Sequence, residues 1–338
     1  MEMKVKYNSD SVEIETPDLF SADKIFDCGQ CFRFEPEGDG YSGIAFGRRI
    51  HIREKGGIII IDGANKDDFE SVWFDFFDFG NDYRKINDSI LSAVPEKADF
   101  LQQCEKVGAG IRILRQDPWE TLVSFIISQN NNIPRIKKLI SALCIECGER
   151  IYGKTDVGTG TCCGGTGLET AARGEEISFE TVVGTGKSRE QTEFEMGPGD
   201  NTGKQEGTRR CVGYAFPSPE AVLELGEKRL AEMKFGLRAG YIADAAKKVC
   251  SGEIVLSELY EMSFDEAFAE LCSIRGVGAK VASCVLLFAY HKLNAFPIDV
   301  WIQKVIDKYF DGCVPDFGEF AGIAQQYLFY RERYTTSE

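Results

Sequence analysis

A formal net charge of −15 on 338 residues, from 39 Lys and Arg against 54 Asp and Glu, argues against a chain that binds nucleic acid through its overall charge. The length suits about two domains with a sizeable core, and no apolar run is long enough to cross a bilayer. Twelve cysteines, in a chain whose Met1-Glu2-Met3-Lys4 start lacks a basic-then-apolar leader, suit reduced thiols in a soluble, cytoplasmic protein better than a disulfide framework. Residues 5–7 and 12–15 alternate as strands do. The runs 31–34, 41–46 and 50–53 also read as strands, separated by turn chemistry at Gly38-Asp39-Gly40 and Gly47. After Gly56-Gly57, the β-branched run 58–61 predicts a buried strand. From about Asp67 the period turns helical, with Phe69, Val72, Trp73 and Phe76 recurring at three and four residues.

Asp117-Pro118-Trp119-Glu120 predicts a helix start, with Asp117 as cap, Pro118 in the first position and Glu120 closing a capping box. That helix carries Leu122, Val123, Phe125 and Ile126 and ends in a polar run, 128–132. Pro134 opens the next helix, through Ile136, Leu139, Ile140 and Leu143. Residues 153–212 are rich in Gly, Thr and Glu and poor in large apolar side chains, the composition of a flexible insertion. Helical periodicity returns at Pro219. Ser263-Phe264-Asp265-Glu266 is a capping box opening a helix, a second helix runs from Ala279 to about Tyr290, and further helices fall at 300–310 and 319–332. The fold class expected is α+β: an antiparallel sheet followed by helices.

The strongest motif is Arg275-Gly276-Val277-Gly278-Ala279-Lys280. Two helices joined by a Gly-x-Gly turn make a helix-hairpin-helix. Gly276 and Gly278 let the backbone turn sharply and approach a phosphate with no Cβ in the way, and the amides opening the second helix point at the anion. By itself such a turn also suits two packed helices. Lys280 follows it directly, and nineteen residues on from it, within Phe296-Pro297-Ile298-Asp299-Val300-Trp301, Asp299 is placed both to cap a helix and to carry charge.

With these segments the chain resembles the 8-oxoguanine DNA glycosylase/AP lyase family of the helix-hairpin-helix glycosylase superfamily. The matching stretches are Cys28-Gly29-Gln30-Cys31-Phe32-Arg33, the run 117–135 with Asn130-Asn131-Asn132-Ile133-Pro134-Arg135, the run 236–241, the Lys280 to Asp299 stretch, and Ala324-Gln325 through Phe329. The resemblance implies an N-terminal α+β domain with a TBP-like antiparallel sheet at 1–98, and an all-α helix-hairpin-helix domain at 99–334, interrupted by the insertion at 153–212. It implies base excision from duplex DNA, with the damaged base flipped into a pocket. Lys280 attacks C1′ of the sugar and forms a Schiff base, and Asp299 stabilises the positive charge that develops. A free lysine is almost fully protonated at neutral pH, so attack requires a site that favours the neutral amine. Gly29, Cys284, Gln325 and Phe329 correspond to base-pocket residues. Asn130, Arg135 and Arg238 correspond to residues that contact the orphaned cytosine, arginine's fork suiting two acceptors on one base edge.

Two positions depart from the family pattern: Leu237 stands where animal members have a Tyr wedge, and Trp301 where they have a His. Leu can still wedge a base step. No cofactor or metal is required. The spacing of Cys144 and Cys147 with Cys162-Cys163 is irregular for zinc, and a four-cysteine iron–sulfur pattern is missing. The expected partner is double-stranded DNA, bound by a monomer through the locally more basic runs 111–138 and 275–308. A non-catalytic helix-hairpin-helix DNA-binding protein, or a glycosylase for another damaged base, stays open as an alternative.

Overall fold

The computed structural model describes residues 3–16, 19–152 and 211–335. The described chain opens with β1 (Lys4–Tyr7), β2 (Ser11–Glu15), the short helix α1 (Ala22–Asp27), β3 (Phe34–Glu37), β4 (Gly40–Ala45), β5 (Arg48–Lys55) and β6 (Ile58–Asp62). The six strands form one antiparallel sheet in the order β1-β2-β6-β5-β4-β3. Val12 pairs with Ile61 and Ile14 with Ile59, so the β-branched residues on one face of each strand point into a common core. That core is completed by Phe26, Phe34, Phe69, Trp73, Phe76 and Phe77. Phe26 and Phe34 stack at 4.2 Å. Phe34 also needs the glycine opposite it: a Cβ at Gly43 would stand 2.3 Å from its ring.

The sequence reading errs at 31–33. The strand begins only at Phe34 and contains Pro36, which is tolerated because β3 is an edge strand. The stretch resembles a strand because it runs between two cores. Cys28 and Phe32 are buried in the helical core, and Cys31 and Phe34 in the sheet core. The helical run from Asp67 is present but uneven: α2 (Lys66–Asp68), a π-helical turn (Phe69–Trp73) and α3 (Phe74–Phe76).

The helical layer contains α4 (Tyr83–Ala93), α5 (Ala98–Gly108), α6 (Pro118–Ser128), α7 (Ile133–Cys147), the strands β7 (Arg150–Tyr152) and β8 (Cys211–Tyr214), then α8 (Pro219–Glu232), α9 (Arg238–Cys250), α10 (Phe264–Cys272), α11 (Ala279–Phe288), α12 (Val300–Tyr309) and α13 (Ala321–Thr335). The two-stranded β7–β8 ribbon corrects the expectation of an all-α second domain, and it takes residues 211 and 212 out of the expected insertion. The remainder of that insertion, 153–210, lies outside the described residues. The side chains of α4, Tyr83, Ile86 and Ile90, are buried in the helical core, so that core draws on residues before 98.

Past its first turn helix α11 is buried on every side, each residue from Val281 to Phe288 being enclosed, as befits a central helix. It packs on α6, where Phe125 and Phe288 stack at 5.4 Å. The extended segment 111–116 joins the two layers. The N–H of Arg115 donates to Phe76 O at 3.1 Å and that of Gln116 to Phe288 O at 2.8 Å. Within it Arg112 is buried, its guanidinium 4.3 Å above the Tyr83 ring and donating to the carbonyls of Phe77, Asp78 and Asn81.

Candidate active site

Helix ends build the site. Asp117 accepts from the N–H of Glu120 at 2.8 Å and caps α6 as expected. Glu120 does not close a capping box. Its carboxylate instead meets Arg33 at 3.1 Å in a largely buried ion pair, which fastens the Gly29–Arg33 stretch to α6. At the other end of α6, the chain turns through Asn130 with a left-handed φ of 47° before Asn132 caps α7. Arg238, the first residue of α9, holds that turn: its guanidinium donates to the carbonyls of Gln129 and Asn130. Burial and the nearby Arg135 guanidinium push Arg238 down from the usual arginine range, two like charges beside one turn.

The hairpin between α10 and α11 uses its glycines differently. Gly276 has φ +80°, and a Cβ there would strike the Tyr241 ring at 2.3 Å, whereas Gly278 faces open space. Gly276 is therefore required by the fold, and Gly278 leaves room for something outside it. Gly278 caps α11 with no side-chain bond, so the first amides of the helix keep their donors. Lys280 stands in that first turn. Its Nζ is 3.2 Å from Ser128 Oγ and 5.2 Å from the Phe125 ring centroid. Asp299 caps α12, with Oδ1 accepting from the N–H groups of Trp301 and Ile302, both at 2.9 Å. The capping role and a role in the cavity are thus compatible, because both cap bonds fall on one oxygen.

A cavity of about 610 Å³ gathers Gly29, Asn130, Lys280, Asp299, Trp301 and Phe329, with Phe32, Phe125, Ser128, Val300 and Arg333 among its other walls. Six of the sequence-predicted residues therefore share one space. Gly29 and Phe329 face each other, a Cβ at Gly29 lying 3.7 Å from the Phe329 ring. Cys284 and Gln325 are buried and are not among the lining residues. Burial pushes the Cys284 thiol up to about 11, with Lys280 pulling it down and Asp299 pushing it up, so it stays a thiol at neutral pH. The Oε1 of Gln325 accepts from Gln326 at 2.8 Å. Arg135, Leu237, Arg238, Gly276 and Gly278 lie outside the cavity wall, and Leu237 is 82% exposed, far more than an apolar side chain needs to be. Sequence reasoning missed Gln30, Phe125, Ser128 and Arg333. Gln30, Phe125 and Ser128 lie within matching stretches but carried no role there, and Arg333 lies beyond the last of them.

Among the described residues there is no cluster of His, Cys, Asp and Glu able to hold a metal. Burial raises the thiols of Cys144 and Cys147 to about 12 and about 11, unlike the thiolates that bind zinc. Cys162-Cys163 lies outside the described residues. No described helix is long and apolar enough to cross a membrane.

Residues 12–122 match the family model of the 8-oxoguanine DNA glycosylase N-terminal domain. The structure is similar to that of MBOgg1, solved in complex with a low-affinity DNA ligand, with a TM-score of 0.77 and 35% identity over 99% of this chain and 100% of that one. The chain belongs to the 8-oxoguanine DNA glycosylase family. A further family structure, the Clostridium acetobutylicum 8-oxoguanine glycosylase/lyase in complex with DNA containing cytosine opposite 8-oxoguanine, has a TM-score of 0.75 and 30% identity over 98% of each chain. An N-glycosylase/DNA lyase of Arabidopsis thaliana is 26% identical over 66% of this chain and 52% of its own length. The chain thus spans about half the length of the first curated relatives it matches.

Proposed function

We propose that the protein is a bifunctional DNA glycosylase and AP lyase that removes 8-oxoguanine from duplex DNA and nicks the strand. The observation that carries this reading is the opening of Lys280 and Asp299 onto the same cavity as Gly29 and Phe329: a nucleophile and a carboxylate beside a slot between a glycine and an aromatic ring. Family membership supports it, as do the activities and DNA ligands of the similar proteins.

The amine of Lys280 bonds to C1′ as the C1′–N9 bond breaks. The electron pair leaves on the base, which takes up the proton the amine gives up. Opening of the sugar ring yields a Schiff base. Loss of a C2′ proton then expels the 3′ phosphate by β-elimination. Asp299 offsets positive charge on the sugar. The Gly29 carbonyl accepts from N7–H, a proton present only on the oxidised base. Phe329 stacks on that base, Gln325 reads its Watson–Crick edge and Cys284 backs the pocket. Asn130, Arg135 and Arg238 meet the orphaned cytosine, Leu237 wedges the stack, and the amides after Gly276 and Gly278, with Trp301, meet phosphates. The work is done by a monomer where the chromosome lies, in the cytoplasm if the cell is bacterial.

Borohydride trapping tests the reading on duplexes with 8-oxoguanine opposite each of the four bases. A covalent adduct with the parent and none with Lys280→Gln is expected. Absence of both adduct and base release from the intact protein refutes the enzyme and leaves a DNA-binding module.

A further inference from the structure

Ser128 is the last residue of α6, and its hydroxyl has a single proton to donate. The helix end decides where that proton goes. The N–H of Gln129 turns to Ile126 O at 3.4 Å, which leaves the carbonyl of Phe125 without its usual partner one turn on. The Ser128 hydroxyl donates to that carbonyl at 2.8 Å. Its oxygen then has only lone pairs to offer Lys280, whose Nζ lies 3.2 Å away. Lys280 is therefore the donor in this contact. Among the described residues Ser128 is the one hydrogen-bond partner of Nζ, and no carboxylate lies within ion-pair distance of it.

A neutral amine has two N–H bonds and one lone pair. Tying one N–H to Ser128 while Nζ stands over the Phe125 ring leaves few directions for the lone pair, and the cavity is on the open side. We propose that Ser128 is a positioning residue for the Lys280 nucleophile. Its hydroxyl, polarised by its bond to the Phe125 carbonyl, holds the amine so that its lone pair meets C1′. Lysine's flexible four-carbon stem makes such a restraint valuable, because a misplaced nucleophile loses most of its advantage. The inference rests on Lys280 being the nucleophile and is independent of which base is removed.

The test compares Ser128→Ala and Ser128→Thr with the parent under single-turnover conditions. Two substrates are used, an abasic-site duplex trapped with borohydride and an 8-oxoguanine duplex. Affinity for each duplex is measured separately. With Ser128→Ala, adduct formation is expected to slow about tenfold on both substrates, roughly the loss of one hydrogen bond in the transition state, while the dissociation constant changes less than about twofold. Ser128→Thr, which keeps the hydroxyl, is expected to recover most of the rate.

Rates within twofold of the parent for Ser128→Ala, a Thr variant no better than Ala, or slowed base excision with unchanged abasic-site trapping each overturn the proposal. A parent that traps on abasic DNA but ignores 8-oxoguanine corrects the base assignment, and the Ser128 comparison is then read on abasic DNA alone. A parent that traps on neither removes Lys280 as nucleophile and Ser128 with it.

Discussion

The side-chain amide of Gln30 donates to the carbonyl oxygen of Arg112 at 2.8 Å. Around that bond Gln30 is fully committed: its Oε1 accepts from the N–H of Leu114 at 2.9 Å, and its own carbonyl accepts from Gln116 at 2.8 Å. Gln116 in turn is bonded through its backbone to the end of α11. Gly29 is thereby held in register with the helix that carries Lys280. Gln30→Leu leaves several buried polar groups without partners, each costing about 1–3 kcal/mol. A lower urea midpoint is expected, together with a larger loss of 8-oxoguanine excision than of abasic-site trapping. Equal losses in the two activities would count against a link to base reading.

Gly29 itself has φ +80°, a conformation that costs an L-residue about 1–2 kcal/mol. The methyl of Gly29→Ala would also enter the slot, 3.7 Å from Phe329 and 3.9 Å from Arg333. Excision of 8-oxoguanine is expected to fall by tenfold or more in single-turnover assays, whereas trapping on DNA that already lacks the base falls far less. A variant that still excises 8-oxoguanine at the parent rate would remove Gly29 from the base site.

Asp299 allows its two tasks to be separated. Asn is as good a helix cap as Asp, so Asp299→Asn should keep the bonds to Trp301 and Ile302 and stay within about 1 kcal/mol of the parent in denaturant. It removes the charge, and adduct formation should fall by roughly a hundredfold, the scale of losing one electrostatic stabiliser. Asp299→Ala should lose both stability and rate. If Asn and parent react equally fast, the carboxylate is a cap and nothing more.

Acid titration probes the seam between the layers. Asp78 is buried, accepts from Tyr83 at 3.0 Å and Asn81 at 2.9 Å, and faces His291 at 3.3 Å. Burial pushes its carboxyl up, but His291, Asn81 and Arg112 outweigh this and hold it below the ordinary aspartate value. A group depressed in the folded state stabilises above its unfolded pKa of about 3.9, and that contribution drains away as pH falls through the folded value. The parent should therefore lose stability below about pH 4 more steeply than Asp78→Asn, as followed by urea midpoints across that window. Parallel curves would show that Asp78 carries no such linkage.

The elements that were legible in the sequence are those with local causes. The caps at Asp117 and Ser263, the strands flanked by glycine turns and the helix-hairpin-helix are all written in adjacent residues. Helix α1, six residues long, is too short to show a period, and β7–β8 is paired across the insertion. Glu120 sits where a box would close, yet its partner is Arg33, 87 positions away. Ser128 meets Lys280 across 152 positions. Residue type and spacing place Lys280 and Asp299 on helix starts, and the bonds that hold Asp299 are local, but the partner of Lys280 comes from an element that only the folded chain brings near.

Leu237 gives the sharpest separation of stability from function. It is 82% exposed and precedes Arg238, whose guanidinium donates to the Asn130 carbonyl. An exposed leucine contributes little to folding, so Leu237→Ala should change stability by less than about 0.5 kcal/mol. A wedge, by contrast, offsets the few kcal/mol needed to unstack a base step. The variant should therefore extrude the damaged base more slowly, by roughly tenfold or more, with weaker dependence on which base lies opposite. Stopped-flow fluorescence of 2-aminopurine beside the lesion reads that step directly. A parent-like fluorescence trace from a fully folded Leu237→Ala would mean that the flipped state is held by Asn130 and the two arginines without an apolar wedge.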